Sequence, residues 1–316
     1  MRDKMDEQMN ESIHEIDENI DKSLKESLKE NLIIQNENLN ELNEPNDKPM
    51  DKPIDRPIRN IRLKLAYDGT HYHGFQRQPE FHGPTIQGTL ETVWKKLVEE
   101  EVTLNTAGRT DTGVHAAGQV VNYSTSVRIP DHKIPKAFNS LLPRDIRILE
   151  AQTAPEDFHA RFSARWKRYD YWIDNRSIPD VFSRLYALHE PVPLNLQRMQ
   201  EAATYLEGRH NFKAFSSAGG TSKTFERTLY ICRLEQEDGL LRVTCIGDGF
   251  LYNMVRILVG TLVFVGKGRI KPEEIPDILL SQNRRLGGPT ALALGLTLSY
   301  VHYGDEMPTD IFPNFL

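Results

Sequence analysis

From residue 61 onward the chain alternates between two hydrophobic periods. Ile61, Leu63 and Leu65 are separated by Arg62 and Lys64 and followed by Asp68-Gly69, the period-two pattern of a strand that ends in a turn. Ile86, Leu90, Val93 and Leu97 then recur three and four apart behind Thr85, which predicts a helix over 85–100 with Thr85 as its N-cap. The same reading gives a strand over 119–123, a helix over 133–142, strands over 145–151 and 165–173, a helix over 194–206 and a loop over 208–217. A hairpin over 228–247, a very apolar helix over 250–265, a helix over 272–280 and a closing strand over 292–301 complete the body.

Asp238-Gly239 is a strong two-residue hairpin signal, and it fixes a register. It sets Glu235 opposite Arg242, Leu234 opposite Val243 and Cys232 opposite Cys245, with charge on one face and apolar groups on the other. The element order predicts an α+β chain of two similar half-domains, each an antiparallel sheet with helices on one face. Their expected bounds are 60–160 and 161–304, followed by a C-terminal tail over 305–316. No sequence repeat recurs at a fixed period.

Residues 1–59 are rich in Asn, Glu, Asp and Lys and hold no aromatic residue, so they are expected to be a disordered acidic tail. Within it Ile13, Ile16, Ile20, Leu24, Leu28 and Leu32 have helical spacing, which fits a transient helix or an amphipathic one formed on a partner. Pro45, Pro49, Pro53 and Pro57 predict an extended linker.

Charge changes this picture only through its distribution. Residues 1–60 carry 9 Lys and Arg against 16 Asp and Glu, and the remainder carries 30 against 29, so the net charge of -6 comes from the tail. A neutral body with a local basic surface remains compatible with a polyanion partner. No apolar run reaches the ~18 residues of a membrane span, and the N-terminus begins with alternating charges instead of the apolar core of a signal peptide. A cytoplasmic protein without membrane contact is expected. Cys232 and Cys245 form no CxxC pair and are expected as buried reduced thiols without a catalytic role.

Three stretches carry candidate chemistry. Ala107-Gly108-Arg109-Thr110-Asp111-Thr112-Gly113-Val114-His115-Ala116 sets one carboxylate and one guanidinium between glycines at strand ends, where function-bearing loops usually sit. An Asx-turn also explains an Asp close to a Gly, and the segment alone leaves both readings open. Over 165–173, alternation puts Tyr169, Tyr171 and Ile173 on one face and Arg168 and Asp170 on the other. That arrangement suits phosphate contact with base stacking, or equally core tyrosines with charges turned outward. Arg256 lies among Met254, Val255, Ile257 and Leu258, so its guanidinium must find a carboxylate, reach a cleft or snorkel to the surface. His71 and His73 lack the partners of a metal site, and no metal is expected.

Taken in order, several segments resemble the TruA family of tRNA pseudouridine synthases. They are Tyr67-Asp68-Gly69, Gly74-Phe75-Gln76-Arg77-Gln78, the stretch from Gly108 to Ala116, Phe158-His159-Ala160-Arg161-Phe162-Ser163-Ala164 and Arg168-Tyr169-Asp170-Tyr171. Met254-Val255-Arg256 with Gly260, and Gly288-Pro289-Thr290-Ala291, complete a likeness that covers about 61–303. Phe75 stands where Trp is commoner and Leu292 where many relatives have Pro; neither touches the chemistry.

The resemblance implies isomerisation of uridine to pseudouridine in tRNA, at the foot of the anticodon stem, about positions 38 to 40, without a cofactor. It implies an active-site cleft between the two half-domains, and that Asp111 acts as nucleophile or as the base that removes a ribose proton. Arg109 helps displace the uridine, Tyr169 stacks on the flipped base, and Arg256 pairs with Asp111, holds it ionised and lowers its pKa. Arg77, Arg161, Lys167, Arg168, Lys223 and Arg227 are expected to grip phosphates, and a homodimer is expected by the same likeness. Two rivals differ in class. A tRNA-binding protein without catalysis would not need Asp111, Tyr169 and Arg256 together, and a metal-dependent nuclease needs further carboxylates near Asp111 in sequence, where none lies.

Overall fold

The strands of the body, in chain order, are β1 (Arg59–Tyr67), β2 (Asn105–Thr106), β3 (His115–Thr125), β4 (Ile146–Ala154) and β5 (Trp166–Asp174). They continue with β6 (Leu188–His189), β7 (Gly208–Asn211), β8 (Glu226–Glu237), β9 (Leu240–Gly247) and β10 (Leu296–His302). The helices are α1 (Ile86–Val98), α2 (Ile134–Leu141), α3 (Leu196–Thr204), α4 (Met254–Gly266), α5 (Ile275–Ser281) and α6 (Pro308–Ile311). This computed structural model describes residues 57–79 and 83–312. The expectations for the acidic tail, its Ile and Leu series and the linker up to residue 56 lie outside them.

The chain is α+β, with a mostly antiparallel sheet. Two sheets are predicted from the sequence, but the structure has one, in the order β4-β1-β3-β10-β5-β9-β8-β7, with β2 on β3 and β6 on β5. The join is β10, which pairs antiparallel with β5 and, through Thr297 with His115 and Leu298 with Ala116, parallel with β3. So short a bridge between distant segments leaves no periodic trace in the sequence.

Local signals explain most elements. Thr85 is extended, and its Oγ1 accepts from Gly88 N at 3.2 Å, capping α1, which buries Ile86, Leu90, Val93 and Trp94. The hairpin forms with the expected register: Cys232 faces Cys245, Leu234 faces Val243 and Glu235 faces Arg242. Asp238 and Gly239 take φ 50° and 79°, as a two-residue type I′ turn requires. α4 starts at Met254, later than predicted, because Asn253 sits at φ 60°, outside helical geometry. Part of the predicted loop over 208–217 is the strand β7, whose Arg209-His210-Asn211 shows no alternation because it is a polar sheet edge paired only with β8.

One core unites the apolar residues of α1 to α5 with Ile61, Leu63 and Leu65 of β1 and Tyr169, Tyr171 and Ile173 of β5. The opposite face carries a smaller cluster, Trp166, Ile231 and Ile246, covered by Tyr300, Ile311 and Phe312. The body therefore runs on through α6 into the segment expected as a tail. A side-chain carbon at Gly260 would fall 1.8 Å from Pro289 O, so glycine lets α4 close against the chain at 288–291. That contact sets where the first turn of α4 points. Among the described residues no helix is long and apolar enough to cross a membrane.

Candidate active site

Before β3 the chain doubles back to present Asp111. Val114 N donates to Asp111 O at 3.1 Å around Gly113, whose φ of 77° suits the third position of a turn that favours glycine. Phe75 N donates to Thr110 O at 3.0 Å and Gly113 N to Tyr72 O at 3.3 Å. Beneath the turn the hydroxyls of Tyr67 and Thr110 share a 2.8 Å bond. The amide of fully buried Gln119 donates to Gly108 O at 2.8 Å and to the Tyr67 hydroxyl at 3.3 Å. Backbone groups and neighbours hold the turn, so the Asp111 carboxylate is not used in an Asx-turn.

It faces Arg256 instead. Arg256 Nη1 donates to Asp111 Oδ2 at 3.2 Å and to Asn253 Oδ1 at 2.8 Å, while Nε donates to Ala291 O at 2.8 Å. Of the three fates open to Arg256, it takes a carboxylate partner at the edge of a cavity. Burial lifts the Asp111 carboxyl above its usual range, and Arg256 pulls it only part of the way back. Arg256 acts in the expected downward direction, but the burial that outweighs it has no mark in the sequence.

Tyr169 approaches from β5. Its ring meets Phe250 edge to face, centroids 5.0 Å apart at 80°. A carbon added at Gly108 would stand 3.4 Å from the Tyr169 hydroxyl, so the ring borders the Asp111 loop. Burial, and then Tyr67 and Asp111, push its phenol far above the ordinary value, which keeps it neutral at physiological pH.

Asp111, Tyr169 and Arg256 line one cavity of about 950 Å³, and Arg109, Arg161 and Lys167 line it with them. Arg227 stands behind the wall, its Nη2 donating at 3.3 Å to Ser222 Oγ, which borders the cavity. Arg77, 3.3 Å from Glu91, and Lys223 lie outside the lining. Arg168 belongs to the opposite face, where Nε donates to Asp170 Oδ2 at 2.9 Å and the guanidinium covers the Phe312 ring at 4.9 Å. Its charge is used within the fold. The Lys167 ammonium is pushed down to about 8 by burial and by the neighbouring Arg161 and Arg227, with Asp248 acting against them.

The sequence reading passes over Phe250, Asn253 and Leu296, which also border the cavity. A polar residue just before an apolar helix is a cap signal, and it points to Asn253. Phe250 and Leu296 carry no local mark. Among the described residues no group of three or more His, Cys, Asp or Glu side chains is placed to hold a metal ion.

A sequence profile of the family described as tRNA pseudouridine synthase matches residues 65–163 and 202–304. A tRNA pseudouridine synthase A of Moorella thermoacetica is 49% identical over 243 residues, 77% of this chain and 99% of the relative. This chain belongs to the tRNA pseudouridine synthase family. It is an isomerase by that membership. Further synthases of the same name agree, from Acetivibrio thermocellus at 47% identity over 78% of this chain and 100% of the relative, and from Oceanobacillus iheyensis at 43% over 79% and 98%. Asp111 and Arg256 fall in the two stretches that the pseudouridine synthase profile matches, and Tyr169 falls between them.

Proposed function

We propose that this synthase converts uridine to pseudouridine in the anticodon stem-loop of tRNA, about positions 38 to 40, with Asp111 as the reacting group and without a cofactor. The observation that carries the reading is the Asp111–Arg256 pair beside Tyr169 in a cavity of about 950 Å³. That volume is at the upper end of the ~300–1,000 Å³ usual for small-ligand sites, which leaves room for a ribose and its phosphates as well as a base. The cavity is read as the cleft between the halves 60–160 and 161–304, since each supplies one member of the pair.

The reaction breaks the bond from ribose C1′ to uracil N1, turns the base and joins C1′ to C5. C5 loses its proton, N1 gains one, and nothing is oxidised or reduced. A uridine within a stem has to leave its stack at a cost of a few kcal/mol. Arg109, exposed and lining the cavity, suits the displacement, and the neutral Tyr169 ring suits stacking on the flipped uracil. Both routes open to Asp111, a bond to the nucleotide or removal of the C2′ proton, start from the carboxylate anion. Arg256 keeps that anion populated and aimed, while burial leaves it poorly solvated and therefore reactive.

Tritium release from tRNA labelled at uracil C5 tests the assignment. The wild type should release tritium and Asp111→Ala should release none while still binding tRNA; equal release by both would remove Asp111 from the chemistry. The family likeness also supports a homodimer, and sedimentation as a monomer at micromolar concentration would overturn that part.

A further inference from the structure

The cavity wall beside Tyr169 carries two cationic side chains, Lys167 and Arg161, that no side-chain hydrogen bond or ion pair with a described residue takes up. Lys167 precedes Tyr169 by two residues on β5, so both side chains leave the same face about 6.6 Å apart. Its stem runs past Gly108: a carbon added there would meet Lys167 Cδ and Cε at 3.9 Å and the Tyr169 hydroxyl at 3.4 Å. Arg227 closes in from β8, its Nε 3.3 Å from where a carbon on Gly249 would stand, next to the Phe250 that packs on Tyr169. Arg161 borders the same wall, its guanidinium over Phe162 at 5.8 Å.

Of the nearby carboxylates, Asp248 accepts from Thr228 N at 3.0 Å and reaches Lys167 and Arg227 only through its field, while Glu226 pairs with Arg209 at 2.8 Å. Burial first, and then repulsion from Arg161 and Arg227, weakens the proton on Lys167. An anion bound among them would remove that cost and satisfy the desolvated ammonium.

We propose that Lys167 and Arg161, with Arg227 behind them, form a subsite for a single backbone phosphate, the one adjoining the uridine whose base lies against Tyr169. The proposal rests on the reading of RNA as substrate and adds a position to it. A phosphate held one strand step from the stacking ring fixes the sugar relative to Asp111. The contact therefore acts on turnover and not only on affinity.

A chemical double-mutant cycle tests it. An anticodon stem-loop RNA is made with one uncharged methylphosphonate linkage on the 5′ or the 3′ side of the target uridine, or three nucleotides away. Single-turnover isomerisation is measured with the wild type, Lys167→Gln and Lys167→Arg. At one flanking linkage, the neutral link and Lys167→Gln should each slow the reaction about tenfold, the scale of one charge-assisted hydrogen bond. Together they should be no slower than either alone. Lys167→Arg should recover most of the rate, and the distant linkage should combine additively with Lys167→Gln. Additive slowing at both flanking linkages, or an unchanged rate for folded Lys167→Gln, overturns the subsite. Arg161→Gln, altering an exposed residue, supplies the same cycle if Lys167→Gln does not fold. Failure of the wild type to isomerise the unmodified RNA would instead overturn the functional reading.

Discussion

Two aspartate–arginine pairs in this protein hold their carboxylates in opposite states. Asp174, at the end of β5, takes Arg176 Nε at 2.7 Å and Nη2 at 3.0 Å, and backbone N–H groups from Arg176 at 3.2 Å and Asp180 at 2.9 Å. These bonds, the Arg176 fork foremost, hold its carboxyl down at about 2. Asp111 has one contact, 3.2 Å from Arg256, and its carboxyl is lifted by burial. The Asp174 side chain is 2% exposed and that of Asp111 30%, so the bonds to Asp174 outweigh its burial, whereas the single Arg256 contact does not outweigh the burial of Asp111. A carboxylate with its lone pairs filled is a structural part. One that is dehydrated with lone pairs left open is available to a substrate.

Alanine at each position gives the largest contrast. Asp111→Ala should lower the rate of pseudouridine formation by at least about 10³-fold, as loss of a reacting group does, with the urea midpoint little changed. Asp174→Ala should leave the single-turnover rate within a few-fold and lose about 1 kcal/mol of stability, since the half-exposed Arg176 and Asp180 can turn to water. The depressed pKa fixes the pH window of that loss: it is full above the unfolded carboxyl value, near 4, and shrinks as pH falls toward about 2. A collapse of activity in folded Asp174→Ala would erase the distinction between the two pairs.

A smaller change tests the geometry of the functional pair. Arg256→Lys keeps the charge but not the fork that reaches Asp111, Asn253 and Ala291 at once. Turnover should drop about 10²-fold with the fold intact, and near-normal rates would make Arg256 structural. Arg256→Gln also removes the attraction that lowers the Asp111 pKa, so the acid limb of kcat should move to higher pH than in the wild type. Movement to lower pH would contradict the electrostatic reading.

The difference between the pairs was only partly legible in the sequence. Arg168 and Asp170 are two residues apart on one face of β5, where alternation brings them together, and Arg176 reaches Asp174 from the bend just beyond the strand end. Alternation also separates Lys167 from Arg168, but it does not tell which face borders the cavity. That is settled by Phe312 and α6 covering one side and the Asp111 loop the other. The hairpin register is readable because its turn is encoded in two adjacent residues. The joining of β3 to β10 is not, since it rests on Thr297 and Leu298 meeting His115 and Ala116 from far along the chain. Arg256 announced a need for a partner; the α4 start at Asn253 and the Gly260 contact with Pro289 supply the aim.

The smallest expected effect is also the sharpest test of the opposition. A folded-state carboxyl pKa raised above its unfolded value means that the folded protein holds the proton more tightly. Its contribution to stability is fully present below the unfolded pKa and is lost as pH rises through the folded one. At pH 7 the ionised Asp111 therefore costs stability, whereas ionised Asp174 adds it. Asp111→Asn, which mimics the protonated side chain, should melt slightly above the wild type at pH 7. The gain should vanish below about pH 4, where both proteins carry an uncharged group. Scanning calorimetry at the two pH values reads this directly. A lower melting temperature at pH 7 would mean that pairing with Arg256 outweighs burial, and Asp111 would then resemble Asp174 in kind and differ only in degree.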